Sequence, residues 1–193
     1  MDISPTIYYA TEIIQWGNLH FKRMNNPFIN GYDSDFPKEK RYLIIPDSPI
    51  TGVEDVTVIQ NSIINNYIID KIPDNWLTLM QNLLTVNAPI YAAYQSDVDI
   101  NLIKEHPLTI GNNVCKNLKK LISLESFVAA PIIEKVGNSI FEGCENLTNI
   151  RFLRYSATAD LDLALEMHLP VIKTVGKNFF KDCKKLNFSY PFE

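Results

Sequence analysis

Three thiols and three imidazoles, those of Cys115, Cys144, Cys183, His20, His106 and His168, are the side chains of this sequence best suited to nucleophilic, redox or metal chemistry. A metal site recruits such groups at short fixed spacings, as in Cys-x-x-Cys or His-Glu-x-x-His. None of the six forms such a pair, so no metal ligands and no cofactor are expected. An odd number of unpaired cysteines also argues against a disulfide framework and favours reduced thiols. Cys144 and Cys183 occupy the same place in a repeated string, which accounts for both as small buried residues, since a free cysteine packs as a hydrophobe. There is no Gly-x-Ser-x-Gly elbow and no glycine loop that could cradle a phosphate. Asp97, Asp99, Asp160 and Asp162 alternate with other residues but lack the glycine and closing glutamate of a calcium loop. No catalytic residues are therefore assigned, and the chain is expected not to be an enzyme.

Charge narrows the partners. Lys119-Lys120 and Lys184-Lys185 share a repeat position and could form a basic ridge with Arg151 and Arg154, but Glu145-Asn146 interrupts it. The formal net charge of −4 offers no general attraction to nucleic acid. Hydrophobic residues make up 46% and charged residues 21%, close to the average for globular proteins, so the chain can bury a core. No apolar run approaches the roughly 18 residues of a spanning helix, so membrane insertion is not expected. Asn146-Leu147-Thr148 and Asn187-Phe188-Ser189 match the glycosylation sequon, although repeat chemistry alone would place asparagine there. Met1 to Pro5 show neither the basic nor the apolar region of a secretory signal.

The elements that must position these residues come from an internal repeat. Segments 72–86, 110–124, 136–150 and 175–189 align without gaps. Each opens on a β-branched residue (Ile72, Ile110, Val136, Val175) followed by Pro73, Gly111, Gly137 or Gly176, which reads as a strand ending in a turn. Asn75, Asn113, Ser139 and Asn178 come next, all good helix N-caps. Apolar residues follow at Trp76, Leu77 and Met80, and at the matching places Val114, Cys115 and Leu118, Ile140, Phe141 and Cys144, and Phe179, Phe180 and Cys183. The i, i+1, i+4 spacing predicts a short helix with one apolar face. A second short strand is expected from Leu83, Leu121 and Leu147 to Val86, Leu124 and Ile150. The starts lie 38, 26 and 39 residues apart, which implies inserts between Val86 and Ile110 and between Ile150 and Val175. A unit this small cannot cover its own apolar side, so the copies must stack.

The string β-branched-Gly-x-x-apolar-Phe-x-x-Cys-x-x-Leu, at Val136 to Leu147 and at Val175 to Leu186, resembles the BspA-like leucine-rich repeat. The resemblance covers about Ile68 to Ser189; the unit at Ile110 has Cys115 in place of phenylalanine, and the unit at Ile72 has Pro73 in place of glycine. It implies an α/β repeat fold, a leucine-rich-repeat solenoid with short parallel strands on one face and short helices on the other. Many members of that family are bacterial or protist surface proteins that bind host or matrix proteins.

Two regions follow: an irregular N-terminal cap or degenerate repeat over residues 1–66, and an array of about four units over 67–193. The cap carries strand-like runs at Tyr42 to Ile45 and Val53 to Ile59, and an exposed excursion is expected from Met24 to Lys40. The expected function is non-enzymatic: a protein-protein interaction or adhesion module that binds a protein partner through the sheet face and the insert loops. The outward residues of the second strand would be Thr85, Asn87, Ser123, Glu125, Asn149, Arg151, Phe188 and Tyr190. The competing reading is a small intracellular enzyme or effector with its chemistry in the N-terminal third. Reduced cysteines point to the cell interior, and the family resemblance points to the surface or outside.

Overall fold

A computed structural model describes residues 7–9, 42–45, 47–60, 63–65, 68–92, 104–124, 127–129, 132–150 and 171–187. The expected excursion at Met24 to Lys40, residues 93–103 of the first insert and residues 151–170 of the second lie outside the described residues. Every strand pairing among the described residues is parallel. Strand β1 (Ile7–Tyr9) pairs with β2 (Tyr42–Ile44). The other strands fall into three ladders, each taking one strand from successive repeat units. A first ladder holds β5 (Lys71–Ile72), β8 (Leu108–Ile110), β11 (Ile132–Val136) and β13 (Val171–Val175). A second holds β3 (Val58–Ile59), β6 (Thr85–Val86), β9 (Ser123–Leu124) and β12 (Asn149–Ile150). A third holds β4 (Ile64–Asn65), β7 (Tyr91–Ala92) and β10 (Val128–Ala129).

Register follows the sequence repeat. Ile72, Ile110, Val136 and Val175 are partners in the first ladder. Ile59, Val86, Leu124 and Ile150 are partners in the second. Parallel strands cannot be joined by tight hairpins, and here the chain returns to each ladder by passing through the other two. Glu134 forms a bulge in β11 opposite Leu108 and Thr109, so one extra residue is absorbed without breaking the register at Val136.

The expected helices are not present. Helical conformation among the described residues is confined to residues 104 and 105. The stretches after Asn75, Asn113, Ser139 and Asn178 are series of turns, and these four residues have φ of 57° to 58°. An N-cap has extended backbone, whereas these residues are left-handed, a region that asparagine tolerates better than most. The hydrogen bonds explain the difference. Alternate amides leave the segment for the next copy: Asn113, Cys115 and Asn117 donate to the carbonyls of Asn138, Ile140 and Glu142 at 2.8–2.9 Å. Ser139, Phe141 and Gly143 do the same to Lys177, Phe179 and Lys181 at 2.9 Å. An amide committed to a neighbouring segment cannot also close an i→i−4 helical bond. The amides that stay within the segment make three-residue closures, such as Met80 to Leu77 at 3.0 Å and Leu83 to Met80 at 3.0 Å.

A fifth copy lies inside the region read from sequence as a cap or degenerate repeat. The Ile50 amide donates to the Trp76 carbonyl at 2.9 Å, and the Asn82 side chain donates to the Glu54 carbonyl at 2.8 Å. The first relation recurs at Leu77, Cys115 and Phe141, and the second at Asn146, whose side chain donates to the Lys119 carbonyl. Residues 45–59 therefore align with 72–86, with Gly52 (φ 70°) at the place of Asn117, Gly143 and Asp182.

The apolar residues between the ladders form one cluster running from Ile50 to Ile150. Trp76, Phe127 and Phe141 are among its largest fully buried side chains. Phe141 stacks on Phe180 of the next segment, with centroids 5.7 Å apart and planes 7° from parallel. Leu121 and Leu147 share the same core. Burying a residue of this size is worth about 1.5–3 kcal/mol, and most of that burial exists only because copies lie against each other.

Candidate binding face

The second ladder presents two aligned rows of side chains on its outer side. Val58, Thr85, Ser123 and Asn149 are register partners and are half-buried to exposed. Thr57, Leu84, Ile122 and Thr148, one residue earlier in each copy, form the adjoining row and are exposed. Leu84 and Ile122 are 37% and 46% accessible, and the Ile122 amide donates to the Leu84 carbonyl at 2.8 Å, so the two stand side by side at the entry to the neighbouring strands β6 and β9. The face is thus a small apolar centre flanked by hydroxyls and one amide.

Of the residues expected from sequence to bind, Thr85, Ser123 and Asn149 are brought into one row. Asn87 is exposed beyond the end of β6, and its amide donates to the Ile59 carbonyl at 2.8 Å. Glu125, Arg151, Phe188 and Tyr190 lie outside the described residues. Sequence reasoning missed Leu84 and Ile122. The signal was available: both hold a position occupied by threonine in the copies at Thr57 and Thr148, so an apolar residue there departs from a polar pattern.

The lysine ridge is broken as the alternation of charges implies. Glu145 pairs with Lys119 at 3.5 Å on one side and Lys184 at 2.8 Å on the other. Glu142 sits likewise between Lys116 at 3.3 Å and Lys181 at 3.8 Å. A hydrogen bond from Lys184 holds the Glu145 carboxyl below its usual range, and one from Ser139 does the same for Glu142. The Glu145 pairs are screened by solvent through the exposed Lys119 and Lys184 side chains, so each contributes little to stability; the Glu142 carboxylate is more enclosed. Arg151 and Arg154 lie outside the described residues.

A second device sits nearby. The Asp74 carboxylate accepts the Asn112 amide at 2.7 Å, the Asn112 side-chain oxygen accepts the Asn138 amide at 2.9 Å, and the Asn138 oxygen accepts the Lys177 amide at 2.8 Å. A polar side chain at one repeat position thereby satisfies the backbone of the next copy. At the sequon, the Asn146 side-chain nitrogen donates to the Lys119 carbonyl at 2.7 Å, so this amide is already used in stacking.

The thiols are packing groups. Cys115 and Cys144 are buried and Cys183 is half-buried; Cys144 Sγ donates to the Cys115 carbonyl and Cys183 Sγ to the Phe141 carbonyl, both at 3.1 Å. Burial pushes the Cys144 thiol up to about 12 and the Cys183 thiol up to about 11, from an ordinary 9.0, and raises Cys115 as well. The thiolate is the reactive form, so alkylation of the native chain at neutral pH is expected to be slow, with Cys183 modified first. A thiol whose folded pKa is raised contributes stability below its unfolded pKa. That contribution is lost as pH rises from about 9 toward 11–12. The urea midpoint should therefore fall above pH 9, and a Cys144→Ser, Cys183→Ser chain should show a smaller fall.

Among the described residues no three His, Cys, Asp or Glu side chains are grouped to hold a metal ion. His106 Nδ1 lies 2.9 Å from Asp70 Oδ1; His20 and His168 lie outside the described residues, as do Asp97, Asp99, Asp160 and Asp162. No helix among the described residues is long and apolar enough to cross a membrane. Comparison of the chain with protein families, with curated proteins and with solved structures finds no match.

Proposed function

We propose that the chain is a leucine-rich-repeat solenoid, similar to the BspA-like type, that acts as a non-enzymatic protein-protein interaction or adhesion module. The outer side of the second ladder is its binding face. The observation that carries this reading is the pair Leu84 and Ile122, exposed side by side where the chain enters neighbouring parallel strands and bordered by Thr85, Ser123 and Asn149. Interface centres are apolar with a polar rim, and rigid strands hold such a pattern at fixed spacing. Reading the chain as a solenoid rests on the one-to-one parallel register between copies and on the glycine and asparagine positions that repeat with it.

Affinity capture from cell or host extracts with the intact chain tests the reading. The Leu84→Ala, Ile122→Ala variant should weaken a captured protein partner about tenfold or more, taking ~1 kcal/mol or more for each truncated central residue. The Thr85→Ala, Ser123→Ala, Asn149→Ala variant should weaken it less. If both variants keep their fold and hold the partner as tightly as the native chain, the face is not the binding site.

A further inference from the structure

The last described segment, 175–187, presents a face that repeats one already covered elsewhere in the molecule. In segment 110–124, Asn113 and Asn117 are left-handed (φ 57° and 61°) and aim their amides at the next copy, while Lys116 and Lys119 reach its carboxylates. In segment 175–187 the matching residues are Asn178 and Asp182, with φ of 58° and 62°, and Lys181 and Lys184. The segment covering 110–124 is acidic on its turns, through Glu142 and Glu145, and carries no lysine or arginine between Val136 and Ile150.

The first and last described copies differ. Ile50, Val53 and Val56 of the first copy are buried, whereas Val175 is 52% accessible and Phe180, Cys183 and Leu186 are only half-buried. Strand β13 is the outermost strand of its ladder among the described residues. The Asn178 and Asp182 amides have no acceptor among the described residues. Lys181 and Lys184 already touch Glu142 and Glu145, yet their side chains stay 55% and 67% accessible, with donors to spare.

We infer that the face formed by Val175, Asn178, Lys181, Asp182 and Lys184 is a second docking surface, which takes an acidic strand-and-turn segment of another polypeptide. That segment lies parallel to β13 and carries two carboxylates three residues apart, as Glu142 and Glu145 are. Its strand extends the first ladder by edge addition, its turn carbonyls accept the Asn178 and Asp182 amides, and its carboxylates meet Lys181 and Lys184. Three features match an interface that the chain builds within itself: the direction of the amides, the left-handed positions and the two lysines, Lys181 and Lys184 standing where Lys116 and Lys119 do; Asp182 departs from it, replacing the neutral Asn117.

A synthetic peptide carrying residues 132–150, kept reduced, is the probe. Titrated into the intact chain, it should bind in a salt-sensitive manner and slow hydrogen exchange at the Asn178 and Asp182 amides. The same peptide with Glu142→Lys and Glu145→Lys should bind about tenfold more weakly, because two favourable exposed pairs become repulsive. A chain with Lys181→Glu and Lys184→Glu should reverse that preference, and the chain with Leu84→Ala and Ile122→Ala should bind the native peptide unchanged, which separates this surface from the proposed binding face. Absence of binding, equal binding of both peptides, or protection confined to other amides overturns the inference.

Discussion

Phe141→Ala is expected to destabilise the chain by about 3–5 kcal/mol, the range for removing a fully buried aromatic ring. The ring is completely inaccessible and, among the described residues, touches three others: Phe127 edge-on at 5.4 Å, Phe179 edge-on at 5.8 Å and Phe180 stacked at 5.7 Å. Its loss removes the transfer term, leaves a cavity where two copies meet, and deletes aromatic pairs worth about 0.5–1.5 kcal/mol each beyond their area. Domains of ordinary size are stable by about 5–15 kcal/mol, so the variant should lose much or all of its cooperative urea transition. Phe141→Leu keeps most of the volume and should cost clearly less. Equal midpoints for Phe141→Ala and the native chain would show that the copies do not share a core at this ring.

Gly137→Ala is expected to be about as damaging, for a different reason. A methyl group at Gly137 would fall on the carbonyl oxygen of Gly111, 2.5 Å from its carbon and 2.8 Å from the Asn112 nitrogen. All three atoms are backbone of the neighbouring copy. No rotamer can relieve the clash, so the ladder must open locally, and the penalty should be about 3 kcal/mol or more, at the upper end of overpacking. The same contact recurs at Gly176 against Gly137, and at Gly111 against Asp74 and Pro73. Thermal unfolding of Gly137→Ala should show a midpoint lowered by many degrees, whereas Thr148→Ala, at an exposed position of the second ladder, should leave it nearly unchanged. A Gly137→Ala chain with the native midpoint would mean that the close approach at this position is not what holds the copies in register.

These glycines show where reading residues one at a time falls short. In the sequence they read as turn punctuation after a β-branched residue; in the fold they are contact points where two backbones pass too closely for a Cβ. The asparagines are a parallel case. Their recurrence at one position signals a special backbone, and the N-cap reading assigns the wrong one, because a local rule assumes that the amides which follow stay within a helix. At the candidate face, the period-two reading of the second strand puts Thr85, Ser123 and Asn149 on the side away from Val86, Leu124 and Ile150, and in the fold the three are unburied register partners, since alternation along a strand is a local property. It does not find Leu84 and Ile122, because the preceding residue is also exposed where the chain enters each short strand.

By itself the sequence determined the period, the apolar positions and the need to stack. A hydrophobic side chain at a repeated place must be covered by something, and its own short segment is too small to cover it. Only the tertiary structure decided that the covering is done by backbone pairing on three parallel ladders rather than by helices, that the copy within the first 66 residues is residues 45–59 in register with 72–86, and that Glu145 pairs with both Lys119 and Lys184. The physical reason is that each of these outcomes depends on where an amide or an ion finds its partner in a different copy. The partner residues here stand 26 to 39 positions away in the chain, beyond the reach of any local propensity.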